Sequence, residues 1–276
     1  MRIPKSGIIL TLIVFLAACS PNNVTINDNI KHYFDEKGVI GSFAIYDNGS
    51  GQFTIYNLAR YRDTAFSPAS TFKIVNSLIG LETGRIVNEK MVIKWDGRKR
   101  PLPYNDSAFS WNEDLTMEQA FKRSALPYYQ EVARRIGKDT MQFWLDSLKY
   151  GNRSMGKTVD QFWVDNTLKI TADEQMGLVK KLFFNQLPFQ KRTQEIVRKL
   201  MVQEDNANYK LAYKTGMTYR ENGRLIGWMV GWIEENKHPY FFVLNVEGDH
   251  EAAISTIRKE ILTEILKDLG FLEGKR

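Results

Sequence analysis

The chain has 276 residues, 43% apolar and 12% aromatic, which is enough to bury a sizeable core, and its ordinary 25% charged fraction excludes a disordered chain. Its formal charge of +6 mildly favours anionic ligands, and without a long basic tract or interleaved aromatic and basic repeats it excludes a nucleic-acid binder. The histidines His32, His238 and His250 have no paired spacing and no ligand cysteine beside them, so a metal centre is not expected.

The first segment reads as a leader. Arg2 and Lys5 form a positive start, and residues 8–18 form an apolar run too short to span a bilayer comfortably. The run ends in Leu16-Ala17-Ala18-Cys19, which resembles the lipobox of bacterial lipoproteins. Cys19 is the single cysteine, so no internal disulfide can form, and its position suits lipidation. The expectation is a lipoprotein signal peptide over 1–19 and one catalytic domain over 20–276. Cys19 would then be the lipidated start of a periplasmic protein whose only membrane contact is that anchor, in a Gram-negative envelope.

Residues 22–29 are polar and read as a short tether. Two strands follow, over 41–46 and 52–56, around the turn cluster Asp47-Asn48-Gly49-Ser50-Gly51. From Ser70 to Leu81 the pattern becomes helical, with Gly84 as a stop. The middle reads as short amphipathic helices in polar loops, a helical part over roughly 85–205 inserted in the sheet. Strands return over 209–213 and 225–233, flanking Glu221-Asn222-Gly223, where Asn-Gly signals a hairpin, and a third follows over 240–246. Ile254, Ile257, Ile261, Leu262, Ile265 and Leu269 then form one helical stripe closed by Gly270. Hairpin-connected strands at both ends with helices between them predict an α/β (α+β) unit: an antiparallel sheet with flanking helices.

Ser70-Thr71-Phe72-Lys73 carries the chemistry. At the start of a helix, positions three apart share a face, so the Lys73 amine can reach the Ser70 hydroxyl. A serine is a weak nucleophile until a base takes its proton, and a desolvated lysine can be that base. The helix start adds backbone N–H groups for an oxyanion. A second match, Ser154-x-x-Lys157, is read as chance. Lys214-Thr215-Gly216 closes the strand before the hairpin, its glycine leaving room for a substrate to approach. Ser-x-x-Lys with Lys-Thr-Gly is the pairing of serine β-lactamases and penicillin-binding proteins; their Ser-Asp-Asn element is replaced here by Ser124-Ala125-Leu126.

The longer runs resemble the class D (oxacillinase-type) β-lactamases of the transpeptidase-like superfamily. They are Phe66-Ser67-Pro68-Ala69-Ser70-Thr71-Phe72-Lys73, Asn76-Ser77-Leu78-Ile79-Gly80-Leu81-Glu82-Thr83-Gly84, Lys94-Trp95-Asp96-Gly97 and Ala133-Arg134-Arg135-Ile136-Gly137. Tyr150-Gly151-Asn152, Phe162-Trp163 and Gly227-Trp228-x-x-Gly231-Trp232 continue the order, so the resemblance spans about 41–269.

The resemblance implies hydrolysis of penicillin-type antibiotics, and hence resistance, through a Ser70 acyl-enzyme. It implies that Lys73 reacts with carbon dioxide to become an N-carboxylated lysine and general base, with no other cofactor. The Trp163 indole would hold that carbamate, and Ser124 would relay a proton to the leaving nitrogen. Lys214, Thr215 and Gly216 would polarise and seat the substrate, with Arg258 binding its carboxylate and the N–H groups of Ser70 and Met217 forming the oxyanion hole. Leu126 and Val164 depart from the usual valine and leucine, a volume-conserving exchange that bears on access to Lys73. Met217 and Thr218 leave the substrate range open, as the sequence leaves a homodimer open. The alternative reading is a penicillin-sensing or transpeptidase-like domain, acylated without efficient turnover.

Overall fold

The computed structural model describes residues 23–101, 110–249 and 251–276. The leader, Cys19 and His250 therefore lie outside the described residues. In chain order the elements are β1 (Val24–Ile26), α1 (Lys31–Asp35), β2 (Ile40–Asp47), β3 (Phe53–Tyr56), α2 (Leu58–Asp63) and α3 (Lys73–Glu82). Next come β4 (Val92–Ile93), β5 (Leu115–Thr116), α4 (Met117–Lys122), α5 (Leu126–Ile136), α6 (Lys138–Leu148), α7 (Ala172–Phe183) and α8 (Lys191–Met201). The chain closes with β6 (Val202–Asp205), β7 (Lys210–Tyr219), β8 (Leu225–Glu235), β9 (His238–Gly248) and α9 (Glu251–Asp268).

Among the described residues seven strands form one sheet in the order β1-β3-β2-β9-β8-β7-β6, antiparallel except where β1 runs parallel to β3. Period-two alternation divides its side chains between two cores. Ile226, Trp228, Val230, Phe241 and Val243 face a large cluster built with α3, α5 and α7. Leu225, Met229, Ile233, Phe242 and Leu244 face a second cluster completed by Ile254, Ile261, Leu262 and Ile265 of α9. The mixed fold with a mainly antiparallel sheet and flanking helices is the one expected. Gly270 takes φ +81° just past α9, and Gly84 takes φ +68° just past α3, the left-handed geometry that ends a helix cheaply.

Three boundaries differ from the sequence reading. The polar tether contains β1, because Val24 and Ile26 pair with Phe53 and Ile55, and the Asn27 side chain caps a 3-10 turn over Asp28–Ile30. The helical insertion starts before residue 85, at α2, and ends at Met201, where the chain turns into edge strand β6. Lys214-Thr215-Gly216 lies in the middle of β7, paired with Val230, Met229 and Trp228, rather than at a strand end.

Candidate active site

Ser70 sits on a 3-10 turn, Ala69–Phe72, that runs straight into α3. Ala69 before it takes φ +50°, a left-handed conformation costing a non-glycine residue about 1–2 kcal/mol. The tightened turn leaves Ser70 partly exposed while Thr71, Phe72 and Lys73 are buried. Lys73 Nζ lies 2.5 Å from Ser70 Oγ. With the amine protonated, nitrogen donates to oxygen; with it neutral, the bond reverses and the hydroxyl donates to the lone pair.

The Lys73 side chain is fully buried and has no carboxylate partner among the described residues. The ring face of Tyr129 lies 5.6 Å from Nζ. Burial disfavours the ammonium and pulls the pKa down to about 7, so neutral amine is abundant at neutral pH.

Ser124 lies between α4 and α5, also left-handed at φ +54°. Its Oγ accepts from Lys214 Nζ at 2.9 Å, and the same ammonium donates to the Thr215 carbonyl at 3.0 Å. Lys214 too is pulled well below an ordinary lysine, first by burial and then by the nearby charges of Lys73 and Arg258. Two buried amines, each on a serine hydroxyl, thus occupy one site.

Gly216 brings β7 against the serine turn. A Cβ there would lie 2.8 Å from the Pro68 carbonyl oxygen and 3.1 Å from the Thr71 backbone nitrogen, so no side chain fits without separating strand and turn. Thr215 and Met217, the alternate positions of β7, are half-buried. Arg258 is buried on α9 and donates through Nη1 to the Gly216 carbonyl at 2.6 Å, which places its charge at the same strand.

Trp163 lies outside helix and strand, fully buried in an aromatic cluster: stacked on Phe72 at 5.4 Å and edge-on to Phe162 at 5.1 Å. Leu126, at the first position of α5, and Val164 are half-buried against the same core cluster. The Trp163 indole N–H has no acceptor among the described residues. A buried donor left unmet costs about 1–3 kcal/mol, and a donor-only group suits an anionic oxygen. The residues present therefore fit a carboxylated Lys73. Ser154 and Lys157 lie on a surface loop, outside the turn and strand that build this site. Two features of the site were missed in the sequence: the left-handed Ala69 and Ser124, which no glycine announces.

The penicillin-binding-protein transpeptidase domain family matches residues 31–267. The chain is 36% identical over 267 residues to β-lactamase OXA-5 of Pseudomonas aeruginosa, covering 96% of this chain and 97% of that one. Among solved structures it is similar to FUS-1 (OXA-85), a class D β-lactamase of Fusobacterium nucleatum, with a TM-score of 0.83 and 36% identity over 90% of this chain and all of that one. The C-terminal domain of the Bacillus licheniformis BlaR penicillin receptor superposes equally well, at a TM-score of 0.83, with 30% identity over 91% of this chain and 98% of that one. A serine flanked by a buried lysine, a Lys-Thr-Gly strand pressed against it and 35–37% identity with several β-lactamases over most of the chain identify it as a class D serine β-lactamase of the transpeptidase family.

Proposed function

We propose that this protein hydrolyses the β-lactam ring of penicillin-type antibiotics through an acyl-enzyme on Ser70. The observation that carries the mechanism is the 2.5 Å Lys73–Ser70 contact with a fully buried amine. Neutral Lys73 takes the Ser70 proton as Oγ bonds to the lactam carbonyl carbon. The backbone N–H groups of Ser70 and Met217 receive the oxyanion. As the C–N bond breaks, Ser124 passes its proton to the leaving nitrogen, and Lys214, on the far side of that hydroxyl, replaces it. Arg258 adds positive charge at the Gly216 strand, which favours the carboxylate that β-lactams carry, and Thr215 offers it a hydroxyl. Water then cleaves the ester.

Carboxylation of Lys73 by carbon dioxide would put a carbamate in place of the free amine as general base for both acylation and deacylation. Trp163 would donate its indole N–H to it, and Leu126 and Val164 would limit water beside it. A slow β-lactam should add its mass to the Ser70 peptide. Ser70→Ala should abolish the adduct and Ser154→Ala should leave it intact; an adduct elsewhere sinks the assignment.

The reading extends to location. Cys19 would be lipidated and hold the enzyme at the periplasmic face of the envelope, where it would meet antibiotics before their targets and confer resistance. Cys19→Ser should release soluble or unprocessed protein while activity survives; a variant that fractionates like the parent, matured and membrane-bound, contradicts it.

A further inference from the structure

The Trp163 segment has no regular secondary structure of its own, yet its indole must be fixed to be useful. Its backbone is held from two sides. Ser67, buried and three residues before Ser70, donates its hydroxyl to the Trp163 carbonyl at 2.7 Å. Thr218, two residues after Gly216, donates its hydroxyl to the next carbonyl, Val164, at 2.8 Å. Ser67 is itself anchored, because the buried Trp228 indole of β8 donates to its carbonyl at 2.9 Å. Beyond these, the Asn166 amide donates to the Tyr219 carbonyl at 2.8 Å, and Lys169 pairs with Glu221.

We propose that Ser67 and Thr218 are positioning residues that clamp consecutive carbonyls of the Trp163 loop, one from the nucleophile turn and one from the Lys-Thr-Gly strand. The inference rests on the carboxylated-Lys73 reading for its functional half. Ser67 ties the indole-bearing residue to the turn carrying Ser70 and Lys73. Thr218 ties its neighbour to the strand carrying Lys214. A movement of either catalytic element is thereby transmitted to the loop, and a substitution at either hydroxyl loosens the indole without touching substrate.

The test compares the parent with Ser67→Ala, Thr218→Val and the conservative Thr218→Ser by two readouts. Hydrogen exchange should quicken at residues 162–168 in Ser67→Ala and Thr218→Val, where the Leu168 N–H to Phe162 carbonyl bond at 2.9 Å reports the loop, and return to parental rates in Thr218→Ser. The bicarbonate concentration giving half-maximal turnover should rise about 5-fold in each loosened variant, the effect of one neutral hydrogen bond, and Thr218→Ser should restore it. Unchanged exchange overturns the clamp. Faster exchange with an unaltered bicarbonate requirement overturns the positioning role and leaves a structural contact. If the parent itself is indifferent to bicarbonate, the carboxylation reading fails, and the clamp then stands or falls on exchange alone.

Discussion

Lys73→Met is expected to lower kcat/KM by about 10⁴-fold, the upper range for loss of a general base, while raising stability at neutral pH. The two effects share one cause. Lys73 is fully buried without a countercharge, and its folded pKa is about 7 against an ordinary value of 10.5. Between those values the unfolded chain holds a proton that the folded chain has lost, so stability rises with pH across that window. Below about pH 7 both states hold the proton and the whole cost is present, an upper bound of about 5 kcal/mol at 1.36 kcal/mol per pH unit. Methionine keeps much of the volume and carries no charge, so the cost disappears. In carbon-dioxide-free buffer the Tm advantage of Lys73→Met should shrink as pH rises from 7 towards 10. For the parent, the acylation rate should rise with pH through about 7 as the amine deprotonates. A variant less stable than the parent at every pH, or an acylation rate flat through neutrality, contradicts a neutral buried base.

Trp163→Phe carries the second large effect. Phenylalanine retains the stacking against Phe72 and removes the indole N–H that finds no acceptor among the described residues. If that N–H binds a carbamate oxygen, its loss removes one charge-assisted hydrogen bond and weakens carbamate retention about 10–100-fold. Deacylation should slow more than acylation, and added bicarbonate should restore part of it. Acidification should act in the same direction, because a protonated carbamate loses carbon dioxide. Equal slowing of both steps, with no response to bicarbonate, would assign Trp163 to packing alone.

The difference between what was legible and what was not follows from the range of each interaction. Asn222-Gly223 announced the β7–β8 hairpin because a tight turn is local chemistry; Gly223 takes φ +81° there. The three-residue spacing of Ser70 and Lys73 put them in reach of each other for the same reason, although a 3-10 turn rather than an α-helix makes the contact. Gly216 was legible as a close approach, but was taken for the end of its strand. What approaches is the Pro68–Thr71 backbone, across the sheet and distant in sequence. Arg258 lay on a helix stripe whose period says which face is apolar, not that a carbonyl of β7 waits beneath it. The bonds from Ser67 and Thr218 to the Trp163 loop span 96 and 54 residues and have no signature in either partner.

The likeness to the C-terminal domain of a penicillin receptor shows that this fold also occurs in a receptor. The measurement that tests the central claim most directly is therefore stoichiometric: a chromogenic cephalosporin in large excess over the full chain, followed to completion. The account predicts that every equivalent is opened, with Ser70→Ala inactive. A burst of one equivalent per chain followed by no further reaction would contradict it, and would leave a protein that captures β-lactams without destroying them.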